Sequence, residues 1–207
     1  MMKIIVISDL HDSVAHVGAL HDACVGADAL VVCGDFTTFG DQAHVQSIAD
    51  AVRVEGLPCF FVCGNCDSMP PDGVLSDWQN LHNRVVAFGD WFFAGISGSL
   101  PCPSPTPCEF KETFYTQLLA NVKETCGSRA DKLILVSHQP PFGTQADFLP
   151  VGKHVGCHAL RAFIDEVHPA CCLSGHIHEA ASRSNVGRTL VLNPGPFSRG
   201  HIATLEL

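Results

Sequence analysis

An α/β fold with largely buried strands is what the 207-residue sequence predicts, on three observations. Short β-branched or apolar runs recur along the chain, and helix-length segments with apolar residues at mixed three and four spacing lie between several of them. Metal-competent or polar side chains follow the ends of five of the runs, which is what an open α/β sheet delivers at the carboxyl edge where its ligands bind.

"KIIVIS" (3–8) opens the chain as a first strand. The N-terminus then runs directly into charged and polar residues, without the longer apolar region and cleavage site of a signal peptide, so a cytoplasmic location is expected. Segment 14–25 reads as a helix, "ALVVC" (29–33) as a strand, 41–54 as a helix and "CFFVC" (59–63) as a strand. "RVVAFGD" and "WFFAGIS" (84–97) flank the turn dipeptide Gly89-Asp90 and predict an antiparallel hairpin. Four prolines make 98–110 a loop. A helix over 111–126, a strand at "LILVS" (133–137), a long irregular loop over 138–156 and a helix over 157–167 follow. "CCLS" (171–174) and "TLVLN" (189–193) read as the last strands. Loops as long as 138–156 inside a compact domain are more often functional than accidental.

Length favours one domain over 1–207, with 46% hydrophobic and 16% charged residues. No uninterrupted apolar stretch approaches the roughly 18–20 residues that span a bilayer, so no membrane partner is expected. Twelve basic against twenty-one acidic residues give a net charge of -9, which disfavours affinity built on neutralising nucleic-acid phosphates. Nucleic acid therefore enters only as a candidate substrate. Eleven cysteines, an odd number without a compact framework, read as reduced intracellular thiols.

The chemistry collects after the apolar runs: Asp9 and His11, Asp35, Asn65 and Asp67, His138, then His176 and His178. Each has an ordinary explanation when taken singly, as a helix cap, a turn residue or a bystander histidine. Their order at consecutive strand ends does not. In an extended chain past a strand, His176 and His178 at i and i+2 face the same side, and convergent imidazoles point to metal binding.

The ordered set Asp-x-His, Gly-Asp, Gly-Asn-x-Asp, His and Gly-His-x-His, spanning Asp9 to His178, resembles the calcineurin-like metallophosphoesterase superfamily. The short length, "GNCD" and "LNPGP" (192–196) are similar to its small stand-alone phosphodiesterases. The resemblance implies a four-layer α/β/β/α sandwich of two mixed β-sheets flanked by helices. It also implies that Asp9, His11, Asp35 and His178 hold one divalent metal, while Asp35 bridges to a second completed by Asn65, His138 and His176. Imidazole and oxygen donors without thiolate suit manganese first, with iron, zinc, nickel or cobalt as alternatives. Two such ions activate a water between them and clamp a small phosphate ester. Asp67 is expected to take part in catalysis by orienting a neighbouring group or a metal-bound water.

Two departures qualify this reading. Cys66 stands where many relatives carry a histidine that protonates the leaving oxygen, and a thiol is a weaker donor, which favours diesters. His154 on the long loop is the candidate replacement acid. Asp12 stands where relatives have glycine and is expected to cap the following helix. Two alternatives compete: a dithiol switch at Cys63 and Cys66, with Cys102 and Cys108 as a further pair able to join on oxidation, and a non-catalytic metal-binding scaffold acting in protein assembly. Trp91, Phe92 and Phe93 mark a candidate homo-oligomer surface, although an aromatic run beside a turn more often belongs to a core.

Overall fold

A computed structural model describes residues 1–69, 75 and 78–207. The first half runs β1 (Lys3–Ile7), α1 (Val17–Cys24), β2 (Ala29–Val32), α2 (Gln42–Val52), β3 (Cys59–Phe61), β4 (Trp78–Asn80), β5 (Val85–Phe88) and β6 (Trp91–Ile96). The second runs α3 (Glu112–Cys126), β7 (Leu133–Ser137), β8 (Phe148–Leu149), β9 (Lys153–His154), α4 (His158–Val167), β10 (Cys171–Leu173), β11 (Ser182–Val186), β12 (Thr189–Asn193) and β13 (Ala203–Glu206).

One sheet has the order β13-β1-β2-β3-β4 and the other β11-β12-β10-β7-β6-β5. Inner neighbours pair in parallel, while β13, β11 and β5 pair antiparallel. Side chains that alternate along each strand divide between two cores. Ile4 and Val6 of β1, Val31 of β2 and Phe60 of β3 meet Phe93, Ile134, Val136 and Leu173 between the sheets. The opposite residues, Ile5, Ile7, Leu30, Val32 and Phe61, pack under Leu20 of α1 and Val45 and Ile48 of α2. Leu133, Leu135 and Cys172 pack under Leu118 of α3 and Leu160 and Ile164 of α4. Burial on both faces explains why these strands read as continuous apolar runs. The expected four layers are present.

The structure redraws three local expectations, at the start of α1, at Asp12 and in the loop over 138–156. Helix α1 starts later than its predicted segment, with His16 at the N-cap and no side-chain cap bond. Asp12 does not cap it, because its backbone turns through φ 66°, and its carboxylate accepts the Thr38 N–H at 3.1 Å and meets His44 Nε2 at 3.3 Å. The loop over 138–156 is ordered around buried Asp147, which accepts the N–H groups of Gly143, Thr144 and Gly156 and pairs β8 with β9 above it. The aromatic run of the hairpin is spent within the chain: Phe93 stacks on Phe60 at 4.2 Å, Arg129 covers Phe92 and Lys132 covers Trp91. All eleven cysteines are free, so neither candidate dithiol is joined.

Candidate metal centre

Five strands of the two sheets aim their carboxyl ends at one place. The turn after β1 carries Asp9 and His11, that after β2 carries Asp35, and that after β3 carries Asn65, Cys66 and Asp67. His138 follows β7, and His176 and His178 follow β10. Asp9, His11, Asp35 and His176 all sit at positive φ, between 44° and 69°. Such backbone persists in non-glycine residues only where the surroundings enforce it, and it clusters at functional sites.

Glycines make the close approach feasible. A Cβ on Gly64 would collide with the Asp35 carboxylate, and one on Gly175 would collide with the Ser8 hydroxyl and Asp9. The turns after β2 and β3, and those after β1 and β10, therefore interlock in pairs because these two positions lack side chains.

The donor atoms converge in two adjoining groups. On one side His178 Nε2 stands 3.4 Å from Asp9 Oδ1 and 3.2 Å from His11 Nε2, which lies 3.6 Å from Asp35 Oδ2. On the other, His138 Nε2 stands 3.4 Å from Asp35 Oδ2 and 2.9 Å from Asn65 Oδ1. The His176 ring lies beside that of His138, centroids 5.1 Å apart, with its Nε2 4.0 Å from Cys102 Sγ. Donors bound to one ion at roughly 2.0–2.2 Å stand about 3.0–3.5 Å from one another, which is the spacing found here. Asp9, His11, His178, Asp35, His138 and Asn65 fit divalent cations on distance and on donor chemistry alike, whereas His176 is placed by its ring contact with His138 and by donor type. Cys66 Sγ also lies within 4.8 Å of ligand atoms of His11 and Asp35.

His176 and His178 reach the centre by a route other than alternation along a strand. Strand β10 stops at Leu173, His176 turns through φ 69°, and His178 opens a 3₁₀ turn (His178–Ala180). The turn sends His178 to Asp9 and His11, leaves His176 beside His138, and points the His176 backbone N–H at both Asp9 oxygens, 3.2 Å from each.

Charge is concentrated and buried. Asp9 is fully buried and Asp35 is 2% exposed. Burial works to raise the Asp35 carboxyl, but His138 and His11 beside it hold it well below the usual range. Burial likewise opposes charge on His138, and Asp35 outweighs it and raises His138 to about 9. Burial and the neighbouring His138 push His176 down to about 4. His138 Nδ1 lies 2.8 Å from the Cys33 carbonyl, which can only accept, so Nδ1 carries a proton and Nε2 is the nitrogen turned to Asp35 and Asn65.

Supporting residues that the sequence did not single out surround these groups. Thr106 Oγ1 accepts from Asn65 Nδ2 at 3.2 Å, and the Cys66 N–H donates to Asp35 Oδ1 at 2.8 Å. Asn193, within the "LNPGP" stretch, donates to the Ile177 carbonyl at 3.0 Å and braces the turn between the two histidines. The positive φ values are not visible in residue types, and Thr106 lies in a loop recognisable only by its prolines.

Asp67 is fully buried and accepts the N–H groups of Phe36, Thr37 and Gly64 and the Thr37 hydroxyl. Burial and the Asp35 charge raise it to about 6. It ties the β2 and β3 turns together. His154 belongs to another cluster: its Nδ1 pairs with Asp147 at 2.7 Å and its ring lies against Phe142 and Phe148. It lines a cavity of ≈ 570 Å³ whose wall continues through Glu179, the neighbour of His178.

Together these features define a four-layer α/β protein that gathers candidate metal ligands at the carboxyl edges of its strands. Residues 2–204 match the calcineurin-like phosphoesterase superfamily domain, and the chain belongs to that superfamily. An uncharacterized protein of Methanocaldococcus jannaschii is 35% identical over 204 residues, covering 95% of this chain and 89% of that protein. Protein TT1561 of Thermus thermophilus is similar in structure, with TM-score 0.71 and 15% identity over 99% of this chain and 98% of that one. A dimetal phosphatase from Danio rerio gives TM-score 0.63 at 13% identity, over 100% of this chain and 92% of that one. At such identities the structural likeness is one of fold. Among the described residues no helix is long and apolar enough to cross a membrane.

Proposed function

We propose that the chain, acting as one catalytic unit over 1–207, is a dinuclear metal-dependent phosphoesterase that prefers phosphodiesters. The observation that carries this reading is the convergence of donor atoms at gaps of 2.9–3.6 Å in two groups that share Asp35. Asp9, His11, Asp35 and His178 would hold one ion, and Asp35, Asn65, His138 and His176 the other, with manganese first among iron, zinc, nickel and cobalt. When bound, the pair supplies Lewis acidity toward a phosphoryl oxygen and lowers the pKa of the attacking water.

The remaining work falls to the chain. The two buried carboxylates offset the charge of the cations, while His138 is locked by Cys33 with Nε2 toward the centre. Asp67 positions the β2 and β3 turns through the backbone N–H groups it accepts. Cys66, where a stronger proton donor would stand, disfavours alkyl monoesters and leaves diesters as the preferred class. We assign His154, oriented by Asp147 and lining the cavity next to Glu179, as proton donor to poor leaving groups. The substrate is a small phosphate ester, with nucleic acid only as a substrate. A cytoplasmic location is part of the same proposal and is supported by eleven free thiols.

The test is hydrolysis of an aryl phosphodiester together with metal analysis. Asp35→Ala, His138→Ala and His176→Ala should each remove turnover by at least about 100-fold while leaving the circular dichroism spectrum intact. Undiminished turnover in chelator-treated, metal-depleted protein would overturn the proposal. Metal uptake with no turnover across a panel of mono- and diesters would favour the scaffold alternative.

A further inference from the structure

The proline-rich loop between β6 and α3 touches the side chain of one ligand through a chain of hydrogen bonds. Glu109 Oε1 accepts both the backbone N–H of Thr106, at 2.8 Å, and its hydroxyl, at 2.7 Å. Thr106 Oγ1 in turn faces Asn65 Nδ2 at 3.2 Å, and Asn65 Oδ1 faces His138 Nε2 at 2.9 Å. Resting on the dinuclear reading above, we infer that Glu109 and Thr106 are positioning residues that fix which end of the Asn65 amide meets the second metal ion.

The argument follows the protons. An ionised carboxylate can only accept, so the Thr106 hydroxyl must spend its one hydrogen on Glu109. Its oxygen is then left with lone pairs alone for Asn65, and only the NH₂ end of the amide can meet it. The amide oxygen, the only end with lone pairs for a cation, is thereby turned to the centre. Without the hydroxyl, only the Cys66 Sγ, a weak acceptor 3.4 Å from Asn65 Nδ2, still holds the NH₂ end, so the preference between the two amide orientations falls, and the NH₂ end cannot ligate.

The backbone of the loop is held independently. Cys108 donates to the Asn65 carbonyl at 3.0 Å, Ser99 donates to the Cys108 carbonyl at 3.1 Å, and Phe110 donates to the Ser99 carbonyl at 2.8 Å. Removing the Thr106 hydroxyl therefore leaves the loop in place and isolates the orientation of the amide.

Equilibrium dialysis of Mn²⁺ against the full-length protein reads this directly. Thr106→Val should weaken the second ion by roughly 10–100-fold and leave the first at its wild-type affinity. Thr106→Ser should restore the wild-type value, and Glu109→Ala should reproduce the loss without touching Asn65. In an Asn65→Asp background, where both ends are oxygens, Thr106→Val should add no penalty. An unchanged second dissociation constant in Thr106→Val and Glu109→Ala, or an equal penalty in both backgrounds, would overturn the inference while the dinuclear reading stands. Fewer than two ions bound by wild-type protein would remove the dinuclear reading and this inference with it.

Discussion

Asp9 and Asp35 are among the costliest groups this chain buries, because an ionised carboxylate away from water needs compensating charge or hydrogen bonds. Asp9 draws on His178 and the His176 N–H, and Asp35 on His138, His11 and the Cys66 N–H. Placing the compensating groups within ligand distance is what makes the cluster a candidate metal site. Cys66 sits at its edge, 9% exposed, with its thiol pushed up by burial and by Asp35. Cys66→His should raise hydrolysis of an alkyl monoester relative to an aryl diester, read as the ratio of kcat/KM values, and no gain at any pH would remove Cys66 from the acid position. His154→Ala should spare an aryl diester with a good leaving group and slow alkyl diesters by roughly 100-fold or more, so the defect should grow with leaving-group pKa. A defect independent of the leaving group would assign His154 to folding of the loop instead.

Elements are positioned by single side chains at their ends. Helix α2 begins at Asp41, whose carboxylate accepts the His44 N–H at 2.9 Å. Helix α4 is capped from outside by Glu112, the first residue of α3, which accepts the N–H groups of His158 at 2.8 Å and Ala159 at 2.9 Å and the Cys157 thiol at 3.1 Å. Burial raises the Glu112 carboxyl, but these donors outweigh it and hold it below its ordinary value of 4.5. Glu112→Ala should cost about 1–2 kcal/mol at pH 7 in urea unfolding. A depressed folded pKa contributes stability above the unfolded value, and it is lost as pH falls through the folded one, so the cost should shrink as pH falls below the ordinary value of 4.5. A constant cost across that range would mean that packing, not charge, holds the two helices together. The inner strands were legible in the sequence because both their faces are buried, whereas β11 (SRSNV) and β4 (WQN) were not. Short, polar edge strands are made by the partner they pair with, not by their own residues.

At the scale of the molecule, two sheets bring candidate ligands from residues 9 to 178 to a common edge, so metal binding at that edge would be coupled to folding. An ion that binds only the folded chain, at 100 times its dissociation constant, adds about 2.7 kcal/mol, or about 5–10 °C in Tm for a chain of this size. Mn²⁺ should raise Tm by that order, and Asp35→Ala should lose most of the rise; equal rises in both proteins would place the ions elsewhere. By itself the sequence determined the class of fold, the buried strands, the helices within a few residues and the identity of the seven candidate ligands, because hydrophobic period and residue type are local properties. It also located Asp67, although not the backbone N–H groups that hold it. Only the tertiary structure decided that a left-handed turn at His176, not strand alternation, parts the two histidines, that Asp12 serves the neighbouring turn, and that Thr106 and Asn193 brace the centre. Those features are contacts between segments remote in sequence, and no local pattern encodes a partner that arrives from another strand.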